Sequence, residues 1–238
     1  MYNTNRMYES IMTEINAIEA QYTTEQVVSR QRVEDHGEVY TSEKEVVAMI
    51  DLVDQEVVRH EATVLEPACG NGNFLAEVVK RKLKKIADEY RGSQIEFERY
   101  GIIAMGCVYG IDILPDNVAN CKQRLFDIFE KFYIALFGKK IKDACLQSVK
   151  YILNRNIVWG DALTFTKGGD ESLPIVFSEW KPVKGMIKRR DFCFKGLLDH
   201  AEVTELPLFS DLGKEVYLPT PIREYPLTSY LKVSNVNE

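Results

Sequence analysis

The sequence is poor in histidine and cysteine, and neither residue is spaced as a metal ligand. Its three histidines and five cysteines are scattered along 238 residues, and no two cysteines form a CxxC pair. Structural zinc sites need such ligands at close, regular spacing. The pattern therefore predicts no metal site and no disulfide framework. Dispersed thiols of this kind are typical of proteins in the reducing cytoplasm.

Long apolar runs and an excess of positive charge are also missing. No stretch approaches the roughly 20 apolar residues that a membrane-spanning helix needs, and the polar N-terminus lacks a signal-peptide pattern. The formal net charge is −6, whereas a protein that binds nucleic acid unaided usually has a basic surface. We therefore expect a cytoplasmic protein without membrane contact, whose DNA binding is weak or assisted by a partner.

The composition, with 45% hydrophobic and 28% charged residues, is that of a globular protein. The patterns predict a helical N-terminal arm over residues 1–31, a main domain over 32–200 and an extended, proline-rich tail over 201–238. The apolar stripe of the arm is formed by Ile11, Ile15, Ile18 and Tyr22, and a capping box by Thr23 and Gln26. The arm either packs on the main domain or docks a partner.

From residue 60 onwards, short apolar strands alternate with amphipathic helices. The predicted strands are residues 63–65, 108–113, 156–163 and 174–177, and the predicted helices are 74–86, 115–137 and 140–153. Such alternation predicts an α/β fold with a parallel, doubly wound sheet. The basic residues between 80 and 85 form either a solvated helix face or a DNA-binding patch.

A glycine loop comes after the first predicted strand, with the sequence Glu66-Pro67-Ala68-Cys69-Gly70-Asn71-Gly72. Glycines allow a tight turn and a close approach of the ligand, and the next helix start offers free N–H groups. In an open parallel sheet, ligands bind beyond the carboxyl ends of the strands. An acid at Glu66 would repel a pyrophosphate, but it suits a cationic ligand such as the ammonium group of S-adenosylmethionine.

Two aspartates mark the ends of the next two strands. Asp112 could accept hydrogen bonds from both ribose hydroxyls, and Asp161 could accept one from an adenine amino group. Asp112 lies about forty residues after the loop, whereas about twenty is usual in dinucleotide-binding folds, so an insertion around residues 88–101 must be absorbed. Either aspartate could instead be a helix cap or a turn former.

In this order, the motifs resemble those of the amino-methyltransferases that modify adenine in DNA. Residues 66–75 (EPACGNGNFL) resemble the family's glycine-loop motif, residues 109–112 (YGID) its ribose-binding motif, and residues 160–163 (GDAL) its adenine-contacting motif. Upstream, residues 36–42 (HGEVYTS) resemble the GxxYTP-type segment of the M subunits of type I restriction systems.

This resemblance covers about residues 32–180. It implies a Rossmann-like, class I S-adenosylmethionine-dependent methyltransferase fold in a restriction-modification or phage-related system, with a specificity or recognition subunit as a possible partner. The cofactor-binding residues that it implies are Tyr40, Thr41, Glu66, Pro67, Ala68, Gly70, Gly72, Asn73, Phe74, Asp112, Ile113, Asp161 and Ala162.

The family's catalytic motif, Asp/Asn-Pro-Pro and then an aromatic residue, is missing, since the chain contains no Pro-Pro. Ser178-Glu179-Trp180 stands after the predicted fourth strand instead. Ser178 could hold the target amino group and Trp180 could stack on a flipped base; alternatively, Trp180 is a core or interface aromatic and the motif has decayed. A basic segment comes next, formed by Lys184, Lys188, Arg189 and Arg190. It holds DNA phosphates or is a solvated loop.

Three functions therefore remain open from the sequence. The chain is a DNA adenine methyltransferase whose specificity comes partly from another chain, or a catalytically degraded, cofactor-binding scaffold or regulatory subunit. A third possibility is methylation of RNA, protein or a small molecule, because the motifs specify the cofactor more than the acceptor.

Overall fold

The computed structural model of the protein describes residues 9–11, 13–15, 17, 20, 22, 29–198 and 219–235. Its helices are α1 (Arg30–His36), α2 (Glu43–Asp51), α3 (Asp54–Val57), α4 (Asn73–Tyr90), α5 (Gln94–Gly106), α6 (Pro115–Phe137) and α7 (Asp143–Asn156). Its strands are β1 (Val64–Glu66), β2 (Val108–Asp112), β3 (Ile157–Asp161), β4 (Thr166–Lys167), β5 (Asp170–Pro174), β6 (Val176–Val183), β7 (Met186–Cys193) and β8 (Arg223–Glu224). Within these described ranges, none of the helices has the length and apolar character to cross a bilayer.

The first three strands form a parallel sheet in the order β1-β2-β3. Helices α4 and α5 connect β1 to β2, and α6 and α7 connect β2 to β3. The chain then continues antiparallel through β4 and β5, which makes the five-stranded sheet mixed. The predicted α/β fold is confirmed, and its parallel part consists of β1, β2 and β3.

The predicted fourth parallel strand, residues 174–177, is wrong. Pro174 ends β5, and residues from Val176 onwards belong to β6, in a separate antiparallel sheet of β6, β7 and β8. Strand β6 lies in this separate sheet because the chain makes a tight turn at Lys184 and Gly185, both at positive φ. This turn returns the chain at once, so that β6 pairs with β7 along its whole length.

Within the described residues, strand β1 is paired on one side, with β2. In a doubly wound sheet, the fourth strand lies beside the first. Among the described residues, no strand occupies that position. The described part of the chain therefore contains the β1-β2-β3 half of such a sheet.

The connection between β1 and β2 explains the long spacing of the motifs. A doubly wound fold usually has one helix there, whereas this chain has two, and the second, α5, occupies residues 94–106. Helix α5 packs on α6 through aromatic rings, with Phe97 stacked on Tyr133 at 5.9 Å between ring centroids. The expected insertion is therefore an additional buried helix.

The N-terminal arm packs on the main domain where it is described. Ile11 and Ile15 are buried within the principal hydrophobic core. The hydroxyl group of Tyr22 donates a 2.7 Å hydrogen bond to Asp127 of α6. These contacts agree with the packing interpretation, whereas Ile18, Thr23 and Gln26 lie outside the described residues.

The basic face of α4 is not simply solvated. Lys82 is buried, and its Nζ donates hydrogen bonds to the carbonyl oxygens of Arg59 and Ala62, at 2.6 and 2.8 Å. Lys80 is buried as well and forms an ion pair with Glu77 at 2.8 Å. The predicted solvated face is therefore wrong at these two positions, because α4 packs on the chain that precedes β1.

The C-terminal region is described over residues 219–235. It contributes β8 to the second sheet and ends in a 3-10 helix, Tyr230–Asn235, whose Val233 joins the core. Residues 201–218 and 236–238 of the predicted extended tail lie outside the described residues.

Candidate functional site

A cavity of about 460 Å³ opens at the carboxyl ends of β1, β2 and β3. Three of the sequence motifs reach it because parallel strands end at the same edge of a sheet, and the upstream motif at residues 36–42 reaches it by packing over the glycine loop. The predicted cofactor residues that line it are Tyr40, Pro67, Ala68, Gly70, Asp112, Ile113, Asp161 and Ala162. The cavity also has lining residues that the sequence analysis did not select, among them Glu38, Asn117 and Leu163.

Asp112 fixes the shape of the cavity. One carboxylate oxygen accepts the N–H of Gly70 at 2.8 Å, and the other accepts the N–H of Leu114 at 2.9 Å and the side-chain amide of Asn117 at 3.2 Å. Asp112 thus joins the glycine loop to the start of α6. An ionised carboxylate has about four lone-pair sites, so these bonds leave capacity for a ligand hydroxyl.

Both glycines of the loop are sterically required. Gly70 has φ +52°, and a Cβ there would lie 3.1 Å from the ring of Tyr40. Gly72 has φ +88°, and a Cβ there would lie 2.8 Å from the Sγ of Cys121. Residues that carry a side chain rarely adopt such backbone φ values. The loop can therefore pass beneath Tyr40 only with glycine at these positions.

A hydrogen-bonded network holds the upstream segment over the cavity. The hydroxyl group of Tyr40 donates to Asn117 at 2.9 Å, and the amide of Asn117 donates to Glu38 at 2.6 Å. Arg32 forms ion pairs with Glu38 and, at 2.6 Å, with Asp116. The Arg32 guanidinium lowers the pKa of Glu38, and burial raises the pKa of the Tyr40 hydroxyl. The segment is thereby tied to the start of α6 by an ionised acid and a neutral phenol.

Some members of this network could be identified from the sequence, and others could not. Glu38 lies inside the quoted motif at residues 36–42, where its acidic side chain is visible. Asn117 has no signal beyond its place in the first turn of α6. Only the folded chain brings the two together.

Glu66 is a half-buried acid, and one of its carboxylate oxygens is itself buried. It ends β1, next to the lining residues Pro67 and Ala68, and its Oε2 has no partner within the described part of the chain. Burial, together with the nearby charge of Asp112, raises the pKa of Glu66 to about 8. A cation bound beside it would supply the missing partner and favour the ionised form.

Besides Glu66, four predicted cofactor residues do not line the cavity: Thr41, Gly72, Asn73 and Phe74. The side chain of Asn73 donates to the carbonyl oxygen of Thr41 at 3.1 Å and accepts from Arg124 at 2.6 Å. Phe74 packs partly buried against the core. In this structure these residues support the loop rather than line the cavity.

The rim of the cavity is apolar on two sides. Ile113 is 54% exposed and Leu163 is 88% exposed. Asp161 accepts the N–H of Leu163 at 2.8 Å, which makes Asp161 a turn former, the alternative interpretation of this residue from the sequence. Leu163 is part of the quoted GDAL motif, so the sequence contained the signal for it.

Ser178, Glu179 and Trp180, the predicted catalytic residues, do not form the expected turn, because they lie within β6. Successive side chains of a strand point to opposite faces, and here the inward face carries Ser178 and Trp180. Trp180 is 3% exposed and packs edge-on against Tyr151. The hydroxyl group of Ser178 donates to Asp191 at 2.7 Å. Trp180 is therefore a core aromatic, and a base could stack on it only if the core opened.

The predicted DNA-binding segment forms strand β7 and the turn before it. Arg189 is buried and forms an ion pair with Asp191 at 2.8 Å, so its assignment to phosphate binding is wrong. The two flanking basic residues also have carboxylate partners: Lys188 pairs with Glu224 at 2.8 Å, and Arg190 pairs with Glu179. Lys184 is exposed in the turn. The alternative of a solvated loop holds only for the turn at Lys184, because residues 186–190 are paired with β6.

Comparison of the chain with protein families, curated proteins and solved structures gives no match. Among the described side chains, no three His, Cys, Asp or Glu residues group together as metal ligands.

Proposed function

We propose that the cavity binds S-adenosylmethionine, and that the chain takes part in methyl transfer to the amino group of adenine in DNA. The single observation that carries this proposal is the convergence of four cofactor-type motifs in one cavity at the strand ends. The three parallel strands and their connecting helices are compatible with the class I methyltransferase fold that we propose for the chain.

The residues present fit this cofactor. The unpartnered oxygen of Glu66 suits an ammonium group, since a buried acid is stabilised in its ionised form by a neighbouring cation. Asp112 has capacity left to accept a hydrogen bond from a ribose hydroxyl. Ile113 and Leu163 offer exposed apolar surface that a flat adenine ring would cover.

The chain's contribution to methyl transfer is to position the cofactor. Bound S-adenosylmethionine supplies an electrophilic methyl group, and the transfer depends mainly on holding this group in line with the acceptor nitrogen. Asp112 fixes the glycine loop, and the Tyr40–Asn117–Glu38 network holds the upstream segment against it. These contacts order the cavity before any ligand enters.

The proposal includes a partner chain that supplies groups for the acceptor base and for DNA specificity. Trp180, the aromatic residue expected to stack on the base, is buried in the core. Strand β1 also has a free edge within the described residues, at the position of the fourth strand of a doubly wound sheet. An acidic chain with a net charge of −6 gains DNA affinity from such a partner.

A second candidate function is that of a cofactor-binding scaffold or regulatory subunit without catalysis. The burial of Ser178 and Trp180 favours it, because the same two side chains would then have only a structural role. Both candidates share the cofactor cavity. They differ in whether adenine methylation depends on this chain.

Two measurements test the proposal. Calorimetry of the purified protein with S-adenosylmethionine, using NAD as the control ligand, should show binding of the first alone, since NAD has no ammonium group to pair with the unpartnered oxygen of Glu66. No binding would refute the cofactor assignment. Mass spectrometry of nucleosides from host DNA, with and without the gene, then separates the two functions. Loss of methyladenine without the gene supports the methyltransferase, and unchanged methyladenine with intact cofactor binding supports the scaffold.

A further inference from the structure

A second groove, of about 530 Å³, lies beside β3 and between helices α6 and α7. We propose that it binds a nucleotide unit of single-stranded DNA, with the base stacked on Trp159 and the phosphates held by Lys122 and Lys150. The inference deepens the proposed function and rests on it, because it gives the DNA strand a place next to the cofactor cavity. Leu114 lines the cavity and the next residue, Pro115, lines the groove.

Trp159 provides a fixed aromatic surface. It is 40% exposed, and its Nε1 donates a 3.0 Å hydrogen bond to the carbonyl oxygen of Ile113. Gly168 packs against the indole so closely that a Cβ there would lie 2.2 Å from the ring. Trp159 also lines the groove. An indole held in this way presents an aromatic surface for stacking without a large loss of side-chain freedom.

The groove is positively charged although the protein is acidic. The described residues that line it include two lysines and no aspartate or glutamate. Lys122 is partly buried, and burial lowers the pKa of its ammonium group. The ammonium group of Lys150 lies 4.3 Å from the ring centroid of Phe126. Two ammonium groups without a carboxylate among the described lining residues favour an anionic ligand.

An aromatic surface beside two lysines is the arrangement with which proteins bind single-stranded nucleic acid. The groove volume lies in the usual range for a small-ligand site. Asn154 and Gln123 add polar side chains at its wall, although the amide of Gln123 already donates to Asp127 at 2.6 Å. The ligand chemistry is therefore a flat base joined to a phosphate.

The experiment measures binding of a fluorescein-labelled 12-nucleotide oligo-dT by anisotropy, without S-adenosylmethionine. The test variant is Lys122→Gln/Lys150→Gln, and the matched control is Lys139→Gln/Lys140→Gln, which removes the same charge at the other end of α6. We expect the test variant to flatten the slope of log K against log salt concentration by about 1.4, because each contact with a single strand contributes roughly 0.7. The control should keep the slope of the unmodified protein. Equal slopes for the test variant and the unmodified protein, or an equal change in the control, would overturn the proposal.

A second variant tests stacking, and a competitor separates the possible sources of the ligand. Trp159→Leu should weaken oligo-dT binding by about fivefold or more, since one stacked base contributes at least about 1 kcal/mol; unchanged binding would contradict the stacked base. Displacement of the probe by dTMP would show that one nucleotide suffices, and displacement by unlabelled oligo-dT alone would show that a strand is required.

The groove and the cofactor cavity share no lining residue among those described. A result that refutes the groove assignment can therefore be distinguished from one that refutes the cofactor assignment. The lysine double variant should bind S-adenosylmethionine like the unmodified protein, which also verifies its folding. If the unmodified protein fails to bind the cofactor but still binds oligo-dT through the lysines, only the proposed function is refuted. If it binds the cofactor but the lysines have no effect on oligo-dT, only the groove assignment is refuted.

Discussion

Asp112 and Gly70 lie 42 residues apart in the sequence and are joined by a hydrogen bond of 2.8 Å, from the backbone N–H of the glycine to the carboxylate. The bond connects the end of β2 to the loop after β1. The same carboxylate also accepts the N–H of Leu114. A residue proposed to bind the ribose therefore also shapes the cavity in which the ribose would lie.

Replacing Asp112 by asparagine should weaken both the fold and cofactor binding. An amide NH₂ cannot accept a hydrogen bond, so one of the two N–H groups of Gly70 and Leu114 loses its acceptor. An unsatisfied buried donor costs about 1–3 kcal/mol, which urea denaturation would detect. The control is Asp170→Asn in β5, an exposed carboxylate that accepts local hydrogen bonds from Ser172. Equal stabilities of the two variants would contradict the role of Asp112.

Gly70→Ala should destabilise the protein and lower its cofactor affinity. The new Cβ would meet the ring of Tyr40 at 3.1 Å, on a backbone with φ +52°. Left-handed backbone costs a residue with a side chain about 1–2 kcal/mol. Gly92→Ala is the matched control, since a Cβ at Gly92 meets no atom within 4 Å. Thermal unfolding and calorimetry would compare the two, and a Gly70→Ala protein as stable as Gly92→Ala would refute the steric argument.

Glu66 should make the stability of the free protein depend on pH. Its pKa is about 8 in the folded chain, against an ordinary value of 4.5. Between these two values the unfolded chain releases the proton and the folded chain keeps it. Glu66 therefore costs nothing below about pH 4.5 and destabilises the fold increasingly as the pH rises to 8, by at most about 1.4 kcal/mol per pH unit. The Glu66→Gln variant cannot ionise at this position, so its denaturation should lack this pH-dependent loss of stability. Identical pH profiles for the variant and the unmodified protein would contradict the raised pKa of Glu66.

Leu163→Asp should reduce cofactor affinity without reducing stability. Leu163 is 88% exposed on the rim of the cavity, so the free protein loses little packing, and surface substitutions usually change stability by less than about 0.5 kcal/mol. Adenine would lose an apolar contact and meet a carboxylate. Leu52→Asp is the control, because Leu52 is 87% exposed and does not line the cavity. Calorimetry should find weaker binding only in Leu163→Asp, and equal affinities would remove this residue from the site.

Much of the cofactor cavity was predictable, because its signals are local. Gly70 and Gly72 mark a turn that only glycine adopts without strain, and Asp112 ends an apolar strand. Once three strands are parallel, their carboxyl ends share one edge and the motifs meet there. Asn117 could not be found in this way, since it reaches Tyr40 and Glu38 only through the docking of the upstream segment on α6.

The expected catalytic turn was wrong for a different reason. The Ser178-Glu179-Trp180 sequence fits a turn or a strand equally well, and the choice depends on the residues after it. The turn at Lys184 and Gly185 pairs β6 with β7, and the pairing register turns Ser178 and Trp180 inward. A one-residue shift of that register would have turned them outward.

The sequence by itself determined the positions of the glycine loop, of the strand ends and of the long helix that begins at Pro115, because turn chemistry and the period of apolar residues are properties of neighbouring residues. The tertiary structure alone decided which polar and aromatic side chains are buried. Lys82 bonds two carbonyl oxygens of the chain before β1, Arg189 pairs with Asp191, and Trp180 packs on Tyr151. Whether such a side chain meets water or protein depends on elements distant in the sequence, and these contacts form only when the chain has folded.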